Sequence, residues 1–399
     1  MIALDAYGTL VVTSLVLLFG RKLVAWIPPL RAYSIPEPVA GGLVAAIFLL
    51  VIRKSLHIEV EFDSSLKDPL MLAFFSSLGL GANLGELKKG GSLLWRFLLV
   101  VVGFLFVQNT IGIIVAKLVG LNPLVGLIAG SVTLSGGHGT GMAWGQVFEE
   151  KYGLQSAAEL AMACATFGLV LGGLIGGPVA RFLIRTTQTP GLAAVEKDAP
   201  LPFEQPQAVR LITVSSFIET LALVAVSLSG GAVISAALQK TAFALPTFVC
   251  CLFVALALRN ILSLLGWYDV FDRAVSLIGN VSLSLFLAMA LMGLKLWELS
   301  ALAVPLLVLL VLQSVTMAAY AHWVTFRAMG KNYDAAVLAA GHCGFGLGAT
   351  PTAVANMQAI TDRFGPSHVS FLLVPMVGAF FIDISNAIVI KLFLALPFF

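Results

Sequence analysis

The sequence has few charges for its length. Lysine, arginine, aspartate and glutamate make up 11% of the 399 residues, whereas roughly a quarter of a soluble globular protein is charged. The formal net charge of +3 provides no basic surface for nucleic acid. The sequence also lacks a glycine-rich phosphate loop ending in Lys-Ser or Lys-Thr, which argues against ATP-driven pumping. Hydrophobic residues make up 59% of the chain, so the composition indicates an integral membrane protein.

Cysteine is also scarce, with four residues that all lie in apolar runs: Cys164, Cys250, Cys251 and Cys343. Their spacing does not match a zinc site, so we interpret them as buried packing residues. Ser135 lies near a histidine, as does Cys343, but no further catalytic group accompanies either nucleophile. The sequence therefore predicts neither an enzyme nor a bound cofactor.

Apolar runs long enough to cross a bilayer occur throughout the chain, five in each half. They lie near 8–27, 37–53, 69–87, 92–119, 156–184, 211–237, 244–262, 277–296, 301–326 and 368–396. The polar, proline-rich stretch 186–210 separates the halves and is predicted to be a cytoplasmic linker. The expected fold is an all-α integral membrane protein with an N-terminal repeat at 1–185 and a C-terminal repeat at 211–399.

The two halves resemble each other at a nearly constant offset, which aligns Gly136 with Gly348 and Thr140 with Thr352. Five spans per half is an odd number, so the second copy must enter the membrane from the opposite side. The repeats are therefore predicted to have inverted topology. Most of the 23 basic residues become cytoplasmic if both termini are periplasmic, which favours that orientation.

Two glycine-rich segments, 133–145 and 341–352, interrupt this apolar pattern, one in each half. Hydrocarbon cannot hydrogen-bond a loosened backbone, so such breaks must be enclosed by protein or face a water-filled cavity. We expect re-entrant hairpins near 121–147 and 334–358, because interrupted segments in both halves are typical of a transporter's binding site. The alternative is that the glycines only permit close helix packing, as we infer for the glycine-rich run 171–178.

These segments and the last span contain the candidate substrate and ion site. Loosened carbonyls are suited to sodium, and the N-terminal end of a half-helix favours a carboxylate. The candidate residues are Ser135, Gly136, Gly137, His138, Gly139, Thr140, Gly141, Gly341, His342, Gly344, Gly346, Gly348, Thr350, Thr352, Asn356, Asp383 and Asn386. Sodium is the expected coupling ion, with Thr140, Thr352, Asn356 and Asp383 as its candidate ligands.

Each of the two histidines in these segments has two interpretations. His138 and His342 could donate to a substrate carboxylate or carry a proton, or they could each bond a neighbouring group and fix the loop.

Asp383 and Asn386 lie three residues apart and therefore on one helix face. An ionisable group inside a membrane suggests function, although Asp383 could instead pair with a basic side chain to hold the bundle. Gln108, Asn109 and Gln313 are interpreted mainly as hydrogen-bonding residues between helices.

Several longer motifs resemble one family. They are Ile-Pro-Glu-Pro-Val-Ala-Gly-Gly at 35–42, Ser-Gly-Gly-His-Gly-Thr-Gly at 135–141, the glycine-rich segment 165–178 and Gly-His-Cys-Gly-Phe-Gly-Leu-Gly-Ala-Thr-Pro-Thr-Ala at 341–353. With Asp334, Asp383 and the Asn-Tyr-Asp-Ala-Ala stretch from 332, they look like the bacterial sodium/glutamate symporters of the glutamate:sodium symporter family. The resemblance covers essentially the whole chain. It implies ten helices, two re-entrant loops entering from opposite faces, a homodimer and kinship with bacterial citrate carriers.

The resemblance also implies sodium-coupled glutamate uptake across the bacterial inner membrane. Glutamate carries a net charge of −1 at neutral pH, so uptake driven by the membrane potential requires more than one sodium ion per glutamate. We therefore expect electrogenic transport by alternating access, with the bilayer, glutamate and sodium as partners. Two other functions remain open: sodium-coupled transport of another small carboxylate, such as aspartate or citrate, and an ion channel or cation/proton exchanger.

Overall fold

The computed structural model describes residues 2–32, 35–56, 60–85, 91–185, 187, 211–238, 245–293 and 303–397. Eight helices within these ranges are long and apolar enough to cross a bilayer. The prediction of a helical, multi-pass membrane protein is therefore confirmed. Apart from residue 187, the proposed linker at 186–210 lies outside the described residues.

The helices follow the same order in the two halves. Those of the first half are α1 (Ala6–Trp26), α2 (Pro28–Ala32), α3 (Glu37–Leu56), α4 (Lys67–Gly81), α5 (Gly91–Leu118), α6 (Pro123–Leu127, continued by π-helical Ile128–Val132), α7 (Gly137–Tyr152) and α8 (Ala157–Ile184). Those of the second half are α9 (Val214–Leu238), α10 (Thr247–Leu265), α11 (Asp272–Met292), α12 (Ala303–Tyr320, continued through π-helical Ala321–Thr325 to Phe326–Ala328), α13 (Tyr333–Leu347), α14 (Thr350–Phe364) and α15 (His368–Met376, continued through π-helical Val377–Phe381 to Ile382–Leu394). Apart from the short α2, the described helices of the two halves can be paired in chain order, while the internal repeat itself remains a prediction. Their opposite orientation in the membrane remains a prediction.

Two of the expected spans differ from simple long helices. The span predicted at 69–87 is represented by α4, which has 15 residues and ends at Gly81. The span predicted at 368–396 is represented by α15, in which Pro375 precedes the π-helical segment. Proline removes a helical hydrogen bond, and a π-helical turn is one way for a helix to accommodate such an irregularity.

A short parallel sheet departs from the all-α prediction. Ile2–Leu4 (β1) pairs with Val60–Phe62 (β2). The backbone N–H of Asp63 then donates to Thr9 Oγ1 at 3.0 Å, which fastens the end of β2 to α1. The sheet is therefore a local attachment between α1 and the chain that follows α3.

Helix α1 has polar or small residues on its inner face and apolar residues on its outer face. On α1, Thr9, Thr13 and Gly20 are buried, whereas Val11 and Leu15 are about 60% exposed. This pattern is the reverse of a water-soluble helix and is suited to packing inside a lipid environment. The four cysteines are buried and form no disulfide, as expected of packing residues.

The helices form two groups, and both halves of the chain contribute to each. The first helix group contains α1, α3, α4, α9, α10 and α11, and the second helix group contains α5–α8 and α12–α15. Glycines bring helices close together in both groups: Gly79 of α4 faces the Leu252 backbone of α10, and Gly112 of α5 faces the Gly126 backbone of α6. The groups meet where α7 contacts α11 and where α15 contacts α4 and α10.

Candidate functional site

The first glycine-rich segment contains a break between α6 and α7. Gly130 departs from helical geometry (φ −103°, ψ −136°), and α7 begins at Gly137, where φ is +67°. A side chain at Gly137 would be strained at that positive φ, so glycine is required there. Asn109 of α5 supports the bend, because its Oδ1 accepts the Ser131 N–H at 2.9 Å. The interruption is therefore held by side-chain hydrogen bonds in the protein interior.

The break in the second segment is shorter than the sequence predicts. Helix α13 continues through most of the glycine-rich run and ends at Leu347, so only Gly348 and Ala349 separate it from α14. The expectation of a loosened backbone over all of 341–352 is therefore wrong. Gly344 explains the difference, because a Cβ there would collide with the Ala353 backbone. This glycine permits close packing between the two helices and leaves α13 intact.

The two breaks meet beside α5. The Ser135 hydroxyl oxygen lies 3.2 Å from the Gly346 carbonyl oxygen, and Gln108 Nε2 donates to the same carbonyl at 3.0 Å. Ser135 Oγ also lies 2.7 Å from Gln108 Oε1, which is the shorter of its two contacts. At Gly137, an added Cβ would stand 3.7 Å from the Gly348 carbonyl oxygen. The two motifs that the sequence singled out are thus neighbours in space.

Gln108 has a larger part in this arrangement than the sequence interpretation gave it. Its side chain bonds Ser135 in the first break and Gly346 in the last turn of α13, just before the second break. Its backbone carbonyl accepts a hydrogen bond from Gln313 Nε2 at 2.7 Å. Gln313 fits the sequence interpretation, because it forms a hydrogen bond between two helices. For Gln108, the available signal was a polar amide inside an apolar 28-residue helix, but the sequence could not identify its partners.

The two histidines bond separate threonines. His138 Nε2 lies 3.1 Å from Thr166 Oγ1, and the Thr166 hydroxyl donates its proton to the Met162 carbonyl at 2.8 Å, so His138 donates to Thr166. His342 Nδ1 lies 2.9 Å from Thr325 Oγ1, and aromatic rings pack around the imidazole. These contacts favour the interpretation that the histidines position the segments, while any role in transport remains a prediction.

Other candidate residues fasten the second hairpin to its neighbours. Asn356 Nδ2 donates to the Gly172 carbonyl of α8 at 2.9 Å. The Thr350 hydroxyl donates to the Gly378 carbonyl of α15 at 2.8 Å. The buried Thr352 Oγ1 has no hydrogen-bond partner within the described ranges. Thr352 is therefore the member of this set with an uncommitted buried oxygen.

The remaining residues of the two motifs are mainly enclosed in packing. The Thr140 side chain would contact a Cβ added at Gly136, and Phe74 of the first helix group faces Gly139. Gly141 is also buried. In the second motif, Gly341 faces the Val374 and Met357 side chains. These positions support the shape of the breaks and their contacts with other helices.

The last helix reaches the first break through Asn386. Its Nδ2 donates to the Ser131 carbonyl at 2.7 Å. Asp383 lies one turn earlier in α15 and is partly buried. Among the described residues it has no ion-pair or hydrogen-bond partner, so the interpretation that it pairs with a basic side chain is unsupported. Ser131 is a site candidate that the sequence analysis missed.

A polar cavity of about 1190 Å³ lies between the two helix groups. Arg53, Asp63, Lys67, Glu149 and Glu159 are among its lining residues. The side chain and the backbone N–H of Ser65 hydrogen-bond to Asp63 and lower the pKa of its carboxyl. Asp63 therefore favours its charged form. The cavity mixes both signs of charge and is suited to water and charged solutes.

A second cavity, of about 630 Å³, also reaches α7, and Gln146 lines both cavities. Trp144 of α7 and Phe248 of α10 line this smaller space. Their rings pack edge-to-face with centroids 5.6 Å apart. Helix α7, which begins at the first break, therefore borders open space at its other end.

A family model of the sodium/glutamate symporters matches residues 2–366. The chain belongs to the sodium/glutamate symporter family. It is 63% identical over 399 residues to the sodium/glutamate symporters of Escherichia coli (strain K12) and Shigella flexneri, with complete coverage of each chain. It is also 52% identical over 390 residues to the sodium/glutamate symporter of Haemophilus influenzae (strain ATCC 51907 / DSM 11121 / KW20 / Rd), covering 97% of this chain and 96% of the relative.

This membership confirms the family resemblance drawn from the motifs. The chain is a symporter-family transporter and not an enzyme. Within this sodium/glutamate symporter family member, the meeting point of the two breaks is the natural candidate for the transport site.

Proposed function

We propose that this protein carries glutamate into the cell together with sodium, and that the glutamate site lies where the two breaks meet. The observation that carries this proposal is the contact of Ser135 and Gly346 with each other and with Gln108. Membership of the sodium/glutamate symporter family supports the substrate and the coupling ion. The relatives described above carry the same functional name.

The ends of the broken helices supply both signs of charge that such a site needs. Helix α7 begins at Gly137 and α14 begins at Thr350, so each presents the positive end of its dipole near its break. These ends are suited to glutamate carboxylates, whereas loosened carbonyls are suited to sodium. The proposed sodium ligands from the sequence are Thr140, Thr352, Asn356 and Asp383. The uncommitted hydroxyl of Thr352 adds support for its place among them.

We also propose that transport is electrogenic. One sodium ion would only neutralise the net charge of glutamate, so a second is required before uptake moves positive charge inward. Each net charge moved through the membrane potential supplies about 2.3 kcal/mol per 100 mV. An inside-negative potential should therefore accelerate uptake.

Alternating access is proposed to arise from movement of the second helix group relative to the first. Cavities at their contact support this idea, because space between two bodies gives room for relative motion. The proposed location is the bacterial inner membrane, with both termini periplasmic and a homodimer as the assembly. The distribution of basic residues supports the orientation.

Uptake of labelled glutamate into proteoliposomes tests the function. We expect accumulation with an inward sodium gradient, faster uptake at an inside-negative potential and no accumulation in potassium alone. Equal accumulation in sodium and potassium would refute sodium coupling. Stronger competition by aspartate or citrate than by glutamate would favour another carboxylate. Acidification of vesicles by a sodium gradient without substrate would favour cation/proton exchange.

A further inference from the structure

Ser131 is a buried polar residue at the Gly130 bend, and neighbouring helices fix its backbone. Asn109 Oδ1 accepts its N–H at 2.9 Å, while Asn386 Nδ2 donates to its carbonyl at 2.7 Å. The side chains of all three polar residues are fully buried. Helices α5 and α15 therefore hold the same residue of α6 from two directions.

Two oxygen atoms remain uncommitted after these bonds are made. Within the described residues, neither Ser131 Oγ nor Asn386 Oδ1 has a hydrogen-bond partner. Leaving a buried polar atom unpaired destabilises a fold, so two such atoms on residues that already bond each other require an explanation. A ligand coordinated by these two oxygen atoms would explain why they have no protein partner.

Asn109 Nδ2 is also unpaired in this part of the chain. Its amide bonds the Ser131 N–H, whereas the Asn386 amide bonds the Ser131 carbonyl. The N–H and C=O of one helical residue point in opposite directions along the helix axis. Asn109 and Asn386 therefore bond opposite backbone groups of Ser131, and of these two described residues only Asn386 has an uncommitted oxygen.

Asp383 brings a carboxyl group to the face of α15 that carries Asn386. The two residues are three positions apart, which places them on the same side of the helix. Among the described residues, Asp383 has no cationic partner. A charged carboxylate in the membrane is costly without compensation, and it would repel an anionic ligand. The combination of this carboxylate with neutral oxygens favours a cation.

We propose that Ser131 Oγ, Asn386 Oδ1 and the Asp383 carboxylate form a binding site for one coupling sodium ion, separate from the glutamate site. This proposal rests on the proposed sodium-coupled function and assigns one ion to the Gly130 bend. Sodium bound here would link α15 to the segment that continues to Ser135. Sodium occupancy would thereby hold the first break in position for glutamate.

The test uses purified full-length protein carrying Ser131→Ala or Asp383→Asn. Ser314→Ala is the matched control, because the buried Ser314 hydroxyl already donates to the Leu310 carbonyl at 2.9 Å. Thermal unfolding is followed while sodium chloride replaces potassium chloride, without glutamate. A ligand that binds only the folded protein raises the unfolding temperature, so the titration reports sodium binding directly.

Ser131→Ala should raise the half-saturating sodium concentration by about tenfold or more, the lower range for loss of a supporting metal-site group. Asp383→Asn should cause an increase at least as large. At saturating sodium, the KM of Ser131→Ala for glutamate should stay within about twofold of the unmodified protein. Ser314→Ala should leave both quantities unchanged.

The proposal is overturned if both site variants retain the unmodified protein's sodium titration. Equal stabilisation of the unmodified protein by sodium and potassium also overturns it. If sodium binding behaves as expected but no glutamate is taken up, the transport function fails while the sodium site stands. If uptake is sodium-driven and the variants titrate normally, the function stands and this site fails.

Discussion

Replacing Gln108 with leucine should weaken glutamate binding by disturbing the contact between the breaks. Leucine fills a similar volume but can neither donate to the Gly346 carbonyl nor accept from Ser135. The native bonds at these positions measure 3.0 and 2.7 Å. Ser135 and Gly346 lie 3.2 Å apart and can still bond each other, so neither is left wholly unpaired. The main loss is therefore the two hydrogen bonds of Gln108.

Each such bond contributes about 0.5–1.5 kcal/mol net, so the pair contributes about 1–3 kcal/mol. Because 1.4 kcal/mol corresponds to a tenfold change in affinity, the KM for glutamate should rise by about 5- to 150-fold. Gln108→Glu should be at least as harmful, because its ionised carboxylate can accept from Ser135 but places an uncompensated buried charge against the Gly346 carbonyl oxygen. Initial rates of labelled glutamate uptake at saturating sodium provide KM and maximal rate.

Gln313→Leu is the control for this prediction. It removes another buried amide from a spanning helix, but that amide bonds the backbone of Gln108 rather than either break. We expect its KM to remain within about twofold of the unmodified protein, although its stability can fall by about 1 kcal/mol. An unchanged KM in Gln108→Leu, or an equal rise in both variants, would refute the reasoning.

Two further substitutions test packing and hydrogen bonding around the second hairpin. Gly176→Ala should reduce the uptake rate and lower stability by about 1–3 kcal/mol, because its Cβ would collide with the Asn356 amide. Gly177→Ala is the control, because an added Cβ there meets nothing within 4 Å, and its uptake and thermal unfolding should be unchanged. Equal losses in the Gly176 and Gly177 variants would contradict the argument. Thr325→Val should lower the unfolding free energy by about 1–3 kcal/mol, because it removes the hydroxyl that pairs with His342 Nδ1. Thermal unfolding of the detergent-solubilised protein measures this change. Unaltered stability would show that the bond contributes little.

The sequence predicted which segments depart from ordinary spanning helices, but it predicted their shape unequally well. The first motif contains a true interruption, and Gly137 needs its positive φ. In the second, Gly344 remains helical and instead admits the Ala353 backbone. A break and a close helix contact both require the absence of a Cβ. Glycine content alone therefore cannot distinguish them.

The hydrogen-bond partners of the polar residues also could not be predicted from the sequence. Ser135 was a candidate from its motif, whereas Ser131 was missed because it stands in an apolar stretch before the dense glycine run. Gln108 and Asn109 were recognised as buried polar residues, yet their roles depend on helices that approach from distant parts of the chain. Residue type predicted the need for hydrogen bonds, and only tertiary structure supplies their direction.

The oxygen that Gly346 presents to Gln108 belongs to the main chain. Every amino acid at position 346 retains that carbonyl, so no point mutation can delete it. Evolutionary change at this contact must instead proceed through residues 108 and 135, or through shifts of the backbone itself. One side of this contact is thus a backbone atom that side-chain substitution cannot remove. This limits how readily single mutations can change the substrate of the carrier.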